Sequence, residues 1–249
     1  MTTRFHAAGV VVYVDEFDLS GVTAAAELDI TNPTPDATAF ADVDAVYLEG
    51  KPTFKITLNG FYSLADPNYD SEMFIDLTSE NRQVGIYKDN VAGQSGWEAR
   101  TDLSQDVIPT QKSQAILLNI TWQGDTPVAE AIVGYINTAV AATENGTKYQ
   151  FGAIGVSETL VGVLRLLAAP GGAGSNDLVV TIQSDADSLA GGETTRITFA
   201  TLNQASVAIH EKVELAGAIT DAWWRAVITI TGAGTRTFSI LVTIGRRKT

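Results

Sequence analysis

Hydrophobic and polar positions alternate with a period of two along much of the chain. From Thr53 to Gly60, Phe54, Ile56 and Leu58 fall on one face and Lys55 and Thr57 on the other, the pattern of a half-buried β-strand. Leu28 and Ile30 alternate against Glu27 and Asp29 in the same way within Val22–Ile30. Gly9–Val14, Met73–Leu77, Val84–Tyr87 and Ala115–Trp122 are further short β-rich runs, separated by polar or Gly-containing connections. Beyond them eight more are predicted: Ala131–Ile136, Lys148–Ile154, Val161–Leu167, Leu178–Gln183, Thr195–Ala200, Ser206–Leu215, Trp223–Thr231 and Thr237–Ile244. Val128–Val140 is the ambiguous segment, because Val128, Ile132, Tyr135, Ile136 and Val140 also fit helical spacing; its Val, Ile and Gly content favours strand.

Turn chemistry divides these runs. Asn32-Pro-Thr-Pro-Asp36 cannot continue a ladder, since two prolines remove donors, so a loop is expected from there toward Gly50. Gln123-Gly-Asp-Thr-Pro127 marks the domain boundary, giving an N-terminal β-sandwich or barrel over 1–125 and a C-terminal jelly-roll or Ig-like β-sandwich over 126–249. Tyr47–Gly60 and Ala218–Gly232 echo one another, and a true duplication would allow three copies to form a pseudo-sixfold ring.

Composition narrows the function classes. Cysteine is absent, which excludes disulfides, thiolate nucleophiles and Cys-ligated metals. The two histidines, His6 and His210, are far apart and sit on strands or their flanks. No run approaches the roughly 20 apolar residues that span a bilayer, the best, Leu160–Ala169, being short and interrupted by Arg165. Ala7–Val14 is followed at once by acids and has no small-residue cleavage pattern, so it is a strand rather than a signal peptide, and synthesis and assembly in the cytoplasm are expected. The net charge is -13, which argues against a nucleic-acid grip. Residues 1–100 hold 16 acids and 6 bases, residues 161–249 hold 7 and 8, so the acid is expected to belong to the first domain, whether for solubility or to form a surface that does not bind a passing polyanion.

Motifs for catalysis are missing. There is no P-loop, and the glycine-rich Pro170–Asn176 lacks the lysine that would reach a phosphate; no Gly-x-Ser-x-Gly elbow is present. Asp185, Asp187 and Glu193 invite a calcium reading, but Leu189, Ala190 and Arg196 stand where an EF-hand needs a ligand, a glycine and a glutamate, leaving an acidic hairpin loop. Trp97, Trp122, Trp223 and Trp224 are open to a sugar-stacking role. Adjacent strand residues face opposite sides, however, so one of Trp223 and Trp224 belongs in a core and the other on a surface or interface.

Asp15–Gly21, Glu27–Ile30, Asp36–Asp42, Leu48–Gly50 and Ile56–Phe61 together resemble the order found in major tail (tail-tube) proteins of tailed bacteriophages. In those proteins a strand with an Asp-x-Ser-Gly motif precedes an acidic loop and a later Gly-aromatic strand. The resemblance covers about the first half. It implies side-by-side barrels, a hairpin lining the lumen, and a loop over 32–52 contacting the adjoining ring, with Asp36, Phe40, Asp42, Tyr47 and Glu49 as inter-subunit residues. The second half is similar to modules of phage virion proteins, carried by Asn145–Thr147, Val180–Asp185, Thr194–Phe199, Thr220–Arg225 and Gly245–Lys248, which implies an outward decoration or a second tube-like domain.

The reading is therefore an all-β, non-enzymatic virion protein without cofactor or metal. It self-assembles into stacked hexameric or trimeric rings, contacts other tail proteins, and lets DNA pass an acidic lumen without gripping it. The alternatives are a capsid decoration or other virion surface protein, and a carbohydrate-binding module using Trp223 and Trp224. A glycosidase would need converging acids such as Asp42, Asp44 and Glu49.

Overall fold

The computed structural model describes residues 2–5, 9–34, 36–38, 44–45, 47, 52–61, 81–107, 117–124, 127–189 and 191–248. Among them there is no helix, and every strand pairing with a stated register is antiparallel. The strands are β1 (Thr2–Phe5), β2 (Val11–Val14), β3 (Phe17–Asp18), β4 (Thr23–Thr31), β5 (Thr53–Phe61) and β6 (Arg82–Tyr87). Then come β7 (Ser95–Val107), β8 (Leu117–Gly124), β9 (Ala129–Val140), β10 (Glu144–Asn145), β11 (Tyr149–Gln150) and β12 (Glu158–Gly171). The last are β13 (Asp177–Asp185), β14 (Thr194–Thr198), β15 (Ile209–Ala216), β16 (Trp223–Thr231) and β17 (Thr237–Lys248). The expected strand at Met73–Leu77 lies outside the described residues. The helical alternative for Val128–Val140 is replaced by β9.

The chain forms two compact units, and neither is a continuous stretch. The first comprises Met1–His6, Gly21–Gln83 and Ala99–Val128; the second comprises Ala7–Ser20, Val84–Glu98 and Ala129–Thr249. A single cut between 125 and 126 therefore describes only the last crossing of the chain. β2 and the second half of β6 pack with the C-terminal strands because their apolar side chains cover a face that those strands leave open. The acid is accordingly less segregated than the linear count implies: 14 acids stand against 6 bases in the first unit, and 15 against 10 in the second.

In the first unit the strand order is β1-β4-β5-β8-β7. Register stacks the apolar positions into rows across the sheet. Ala26, Leu58 and Ile120 form one row, and Leu28, Ile56 and Trp122 the next; all six are buried. The period of two turns Glu27, Thr57 and Thr121, then Asp29, Lys55 and Gln123, to the opposite face.

The second unit has a sheet in which β7, β9, β17, β12 and β15 are neighbours in that order, and a smaller sheet ordered β10-β16-β13-β14, with β11 also on β16. Even-numbered residues of β17 (Phe238, Ile240, Val242, Ile244) and Leu160, Leu164 and Leu166 of β12 join Leu178, Val180, Ile182, Trp224, Ala226 and Ile228 of the smaller sheet in one core. Gly162 stands in this row because a Cβ there would lie 2.7 Å from Ile182 Cδ1. The opposite face of the large sheet is covered by the β2/β6 pair, where Val11, Tyr13 and Tyr87 pack on Ala131, Val133 and Leu241.

The two sheets are linked by a folded ribbon. β12 pairs β17, β13 pairs β16, and the links between them meet at a Gly174–Gly234 bridge. Gly172, Gly174, Gly232 and Gly234 all have positive φ, and a Cβ on Gly174 would fall 2.5 Å from the Gly234 Cα. Only glycine fits this crossing. A long antiparallel ribbon bent over into two facing sheets is the jelly-roll form of sandwich. Among the described residues the two units have different strand orders, and no repeated topology there carries the echo between Tyr47–Gly60 and Ala218–Gly232.

Candidate functional site

The described residues of the 32–52 loop hold a local turn and one bridge. Asp36 bridges Tyr47, and its Oδ1 accepts from the Thr38 amide at 2.9 Å and from the Thr38 hydroxyl; these bonds hold the Asp36 carboxyl below its ordinary value. Tyr47 is 62% exposed, an aromatic side chain presented to solvent. Phe40, Asp42 and Glu49 lie outside the described residues.

The tryptophan pair separates across β16. Trp224 is fully buried and its Nε1 donates to the Gly152 carbonyl at 2.8 Å, so it is a core residue and not a surface aromatic. Trp223 is half-buried on the opposite face. The alternation along the strand thus turns Trp224 inward and Trp223 outward, and of the two candidate surface aromatics only Trp223 is partly exposed.

Ion pairs account for the acidic hairpin after β13. The Lys148 ammonium lies between Asp185 and Glu193, 3.1 Å from Glu193 Oε1, and donates to the Leu189 carbonyl. Arg225 reaches Glu193 at 3.1 Å. Lys148's hydrogen bond holds the Asp185 carboxyl low, and Glu193 is lowered by its own backbone amide and then by Lys148. Burial opposes the Lys148 charge, but the two acids outweigh it and its pKa rises. Protein cations fill the place where the calcium reading put a metal.

A second charged group, which sequence reasoning missed, lies inside the second unit. Arg165 on β12 is fully buried. Its guanidinium makes a bidentate pair with Glu98 of β7, at 2.6 Å and 3.0 Å, and its Nε donates to the Asp15 carbonyl at 2.6 Å. Glu98 also accepts from the Tyr87 hydroxyl and from Thr243 Oγ1 at 3.0 Å, and Tyr13 stacks beneath the guanidinium at 5.8 Å. Burial opposes the Arg165 charge and Glu98 more than restores it; burial, then Glu98, pushes the Tyr87 hydroxyl well up. Nothing in this group is open to a substrate. It ties the β2/β6 cover to β12, β7 and β17. The signal in the sequence was Arg165 itself, a cation inside an apolar run, which requires a buried counter-ion.

Beside it, at the outer rim, the His210 ring stands between two acids, 3.3 Å from Asp15 Oδ1 and 3.1 Å from Glu16 Oε2. His210 lies on β15, the last strand of the large sheet, which pairs only β12 among the described residues. On the same strand, burial of Glu214 is outweighed by hydrogen bonds from Arg247 and Lys212, and its carboxyl falls from 4.5 to about 2. With the folded value depressed, the unfolded chain takes up the proton first. The stabilisation is present above about pH 4.5 and is lost as pH falls through about 2. Thermal melts of the wild type and Glu214→Gln are expected to diverge above that window and converge below it. Solvent screening at this rim keeps the difference within about 1 kcal/mol.

The first unit presents an open groove of about 530 Å³, lined by Phe54 as well as Asp29, Lys55, Asp102, Ser104 and Gln123. Two carboxylates, Asp29 and Asp102, share this lining with one lysine and neutral polar groups. Among the described residues no three His, Asp or Glu side chains gather as a metal site.

These observations describe an all-β protein whose perturbed groups have partners or burial inside the fold; among the described residues it shows solvent-facing strand edges, the Asp36–Tyr47 bridge, an open groove on the first unit and a small apolar pocket between Leu164, Leu166, Leu202 and Ile209. No family model matches the chain, and no curated protein matches it. Among solved structures it is similar to a component of the virion of a native gene transfer agent particle, at 10% identity over 51% of this chain and 98% of that one, with a TM-score of 0.40. It is also similar to the SPP1 Dit protein, described as a paradigm of the hub adsorption apparatus in phages infecting Gram-positive hosts, at 7% identity over 95% and 98% of the two chains, TM-score 0.37. A component of the phage p2 baseplate in its activated conformation matches at 9% identity over 96% and 98%, TM-score 0.36.

Proposed function

We propose that this chain is a non-enzymatic structural protein of a tailed-phage particle, built into the tail as rings of identical copies, hexameric by preference. The first unit forms the tube or hub wall and the second unit decorates it. The observation that carries the reading is the resemblance of the first half to tail-tube proteins, placed on an open sheet. β1 ends the β1-β4-β5-β8-β7 order and pairs only β4 among the described residues. An open edge of this kind is completed by a neighbour in an assembly or protected from one.

The excess of 14 acids over 6 bases in the first unit suits a wall past which DNA moves, because each lysine or arginine contact to phosphate would add a salt-dependent grip. Asp36 and Tyr47 would meet the adjoining ring. Residence in the virion tail, contact with other tail proteins and the absence of any cofactor belong to the same reading.

Negative-stain electron microscopy of the purified chain across concentration and salt, together with immunogold labelling of the native particle, tests it. Rings or tubes in vitro and label along the tail or at its tip are expected. A monomer under every condition, with label confined to the capsid or absent, would reject the tail assignment. The carbohydrate-binding alternative keeps only Trp223 as a stacking residue, and glycan binding abolished by Trp223→Ala would favour it.

A further inference from the structure

We propose that β15 pairs antiparallel with β15 of a second copy about a two-fold axis through Val213, joining two second units edge to edge. This goes beyond the ring reading, because neighbours within a rotational ring are not related by such an axis. It adds a separate contact between free subunits or between facing rings.

Among the described residues the other terminal strands are shorter or less regular. β1 has four residues, β10 and β11 have two each, and the five-residue β14 carries a register shift against β13. β15 is longer and regular, and the charges it carries are of both signs. Its eight residues pair with β12 from Ile209↔Leu166 to Ala216↔Thr159 without a shift, and it contains no proline. Large apolar side chains stand exposed on it and just before it: Ile209 at 47%, Leu215 at 36% and Val207 at 66%. A long, regular, partly apolar edge is a template for another strand.

The charges on β15 select the second copy as its occupant. In antiparallel pairing, opposed residues both point their amide and carbonyl toward the partner or both point them away, so a two-fold axis must pass through a residue. An axis through Glu211 or Glu214 sets glutamate against glutamate, and one through Lys212 sets lysine against lysine. An axis through His210 or Leu215 leaves only a short overlap. With the axis through Val213 every strand residue but Ile209 finds an opposite within the strand. Lys212 of each copy then faces Glu214 of the other. The intrachain Lys212–Glu214 pair, at 2.7 Å, and the Arg247–Glu214 pair beside it become part of one cluster of opposite charges across the axis. Val213 faces Val213 on the side of the sandwich core, against which it already packs.

The absence of cysteine makes the register directly readable by single-cysteine variants of the full chain under mild oxidation. In the proposed register residue 213 lies opposite its counterpart at about 4.5–5.5 Å between Cα atoms, within disulfide reach. Residue 215 is offset from its counterpart by four positions, about 13 Å. Val213→Cys is expected to form disulfide dimers about ten-fold faster than Leu215→Cys or Ile209→Cys, and Lys212→Glu added to Val213→Cys should remove that advantage. Should Val213→Cys fail to fold, an equimolar mixture of Lys212→Cys and Glu214→Cys chains should cross-link faster than either alone. Equal rates at 209, 213 and 215, no cross-linking at 213, or indifference to Lys212→Glu would overturn the proposal. Microscopy of the same preparations reads the rings independently, so non-specific cross-linking in a chain that still forms rings sinks the β15 contact alone, and register-specific cross-linking without rings sinks the ring reading alone.

Discussion

Glu98→Ala is expected to destabilise the second unit by about 3–5 kcal/mol, the cost of leaving one member of a buried ion pair without its partner. The size follows from what Glu98 holds. Its two oxygens accept from Arg165, Tyr87 and Thr243, and Arg165 has 0% exposure with which to recover hydration. Glu98→Gln should fall in the same range, because it keeps the shape and still leaves the cation uncompensated. The double replacement Glu98→Leu with Arg165→Met removes both charges, and recovery of most of the loss is expected from it. Urea unfolding reads both results as a shift in midpoint at unchanged slope. A loss below about 1 kcal/mol for Glu98→Ala would mean that the guanidinium finds water or another acid, contrary to the geometry described.

Trp224→Ala should cost about 3–5 kcal/mol, as expected when a large aromatic leaves a packed core that can only partly collapse. Trp224 lies in the core between the two sheets of the second unit, and its removal also orphans the Gly152 carbonyl. Trp223→Ala, one residue away on the other face, should stay within about 1 kcal/mol. The contrast separates stability from recognition. Any binding lost in Trp224→Ala is to be read alongside its melting curve, whereas binding lost in Trp223→Ala at unchanged stability would point to a real surface contact.

Much of the strand inventory was legible because each strand buries one face and shows the other to water. Leu28, Phe54, Ile56 and Leu58 repeat every second residue, and the strands at 23–31 and 53–61 follow from that. β7 was not legible. Ser95–Val107 is polar on both sides in sequence, and its inward acid, Glu98, is satisfied by an arginine 67 residues away, a partner that no local pattern announces. The same non-locality hides the membership of β2. Val11–Val14 is buried at every position, which marks a strand covered on both faces without saying what covers it. Arg165 was visible as an interruption in an apolar run, and its chemistry pointed to a counter-ion, but only register and burial name Glu98. At the loop, Asp36 and Tyr47 come together through a bridge, as two residues eleven apart in a turn-rich segment can. For β15 the sequence displays an ordinary amphipathic strand; that it ends the sheet is a property of topology alone.

The place of β17 in the sheet has a consequence for how the protein is made. It runs between β9 and β12, supplies Phe238, Ile240, Val242 and Ile244 to one core, and turns Leu241 toward Val11 and Tyr13 in the other. Val11 and Tyr13 can pair with β3 and β6 as soon as those are made, but their packing against Leu241 waits until translation has reached β17. Vectorial folding cannot complete the second unit piecemeal, and closure of its sheet is held back until translation reaches residues 237–248. A chain that stalls earlier leaves β9 and β12 without the strand that joins them, and would go to proteolysis or aggregation rather than enter an assembly as a half-formed subunit.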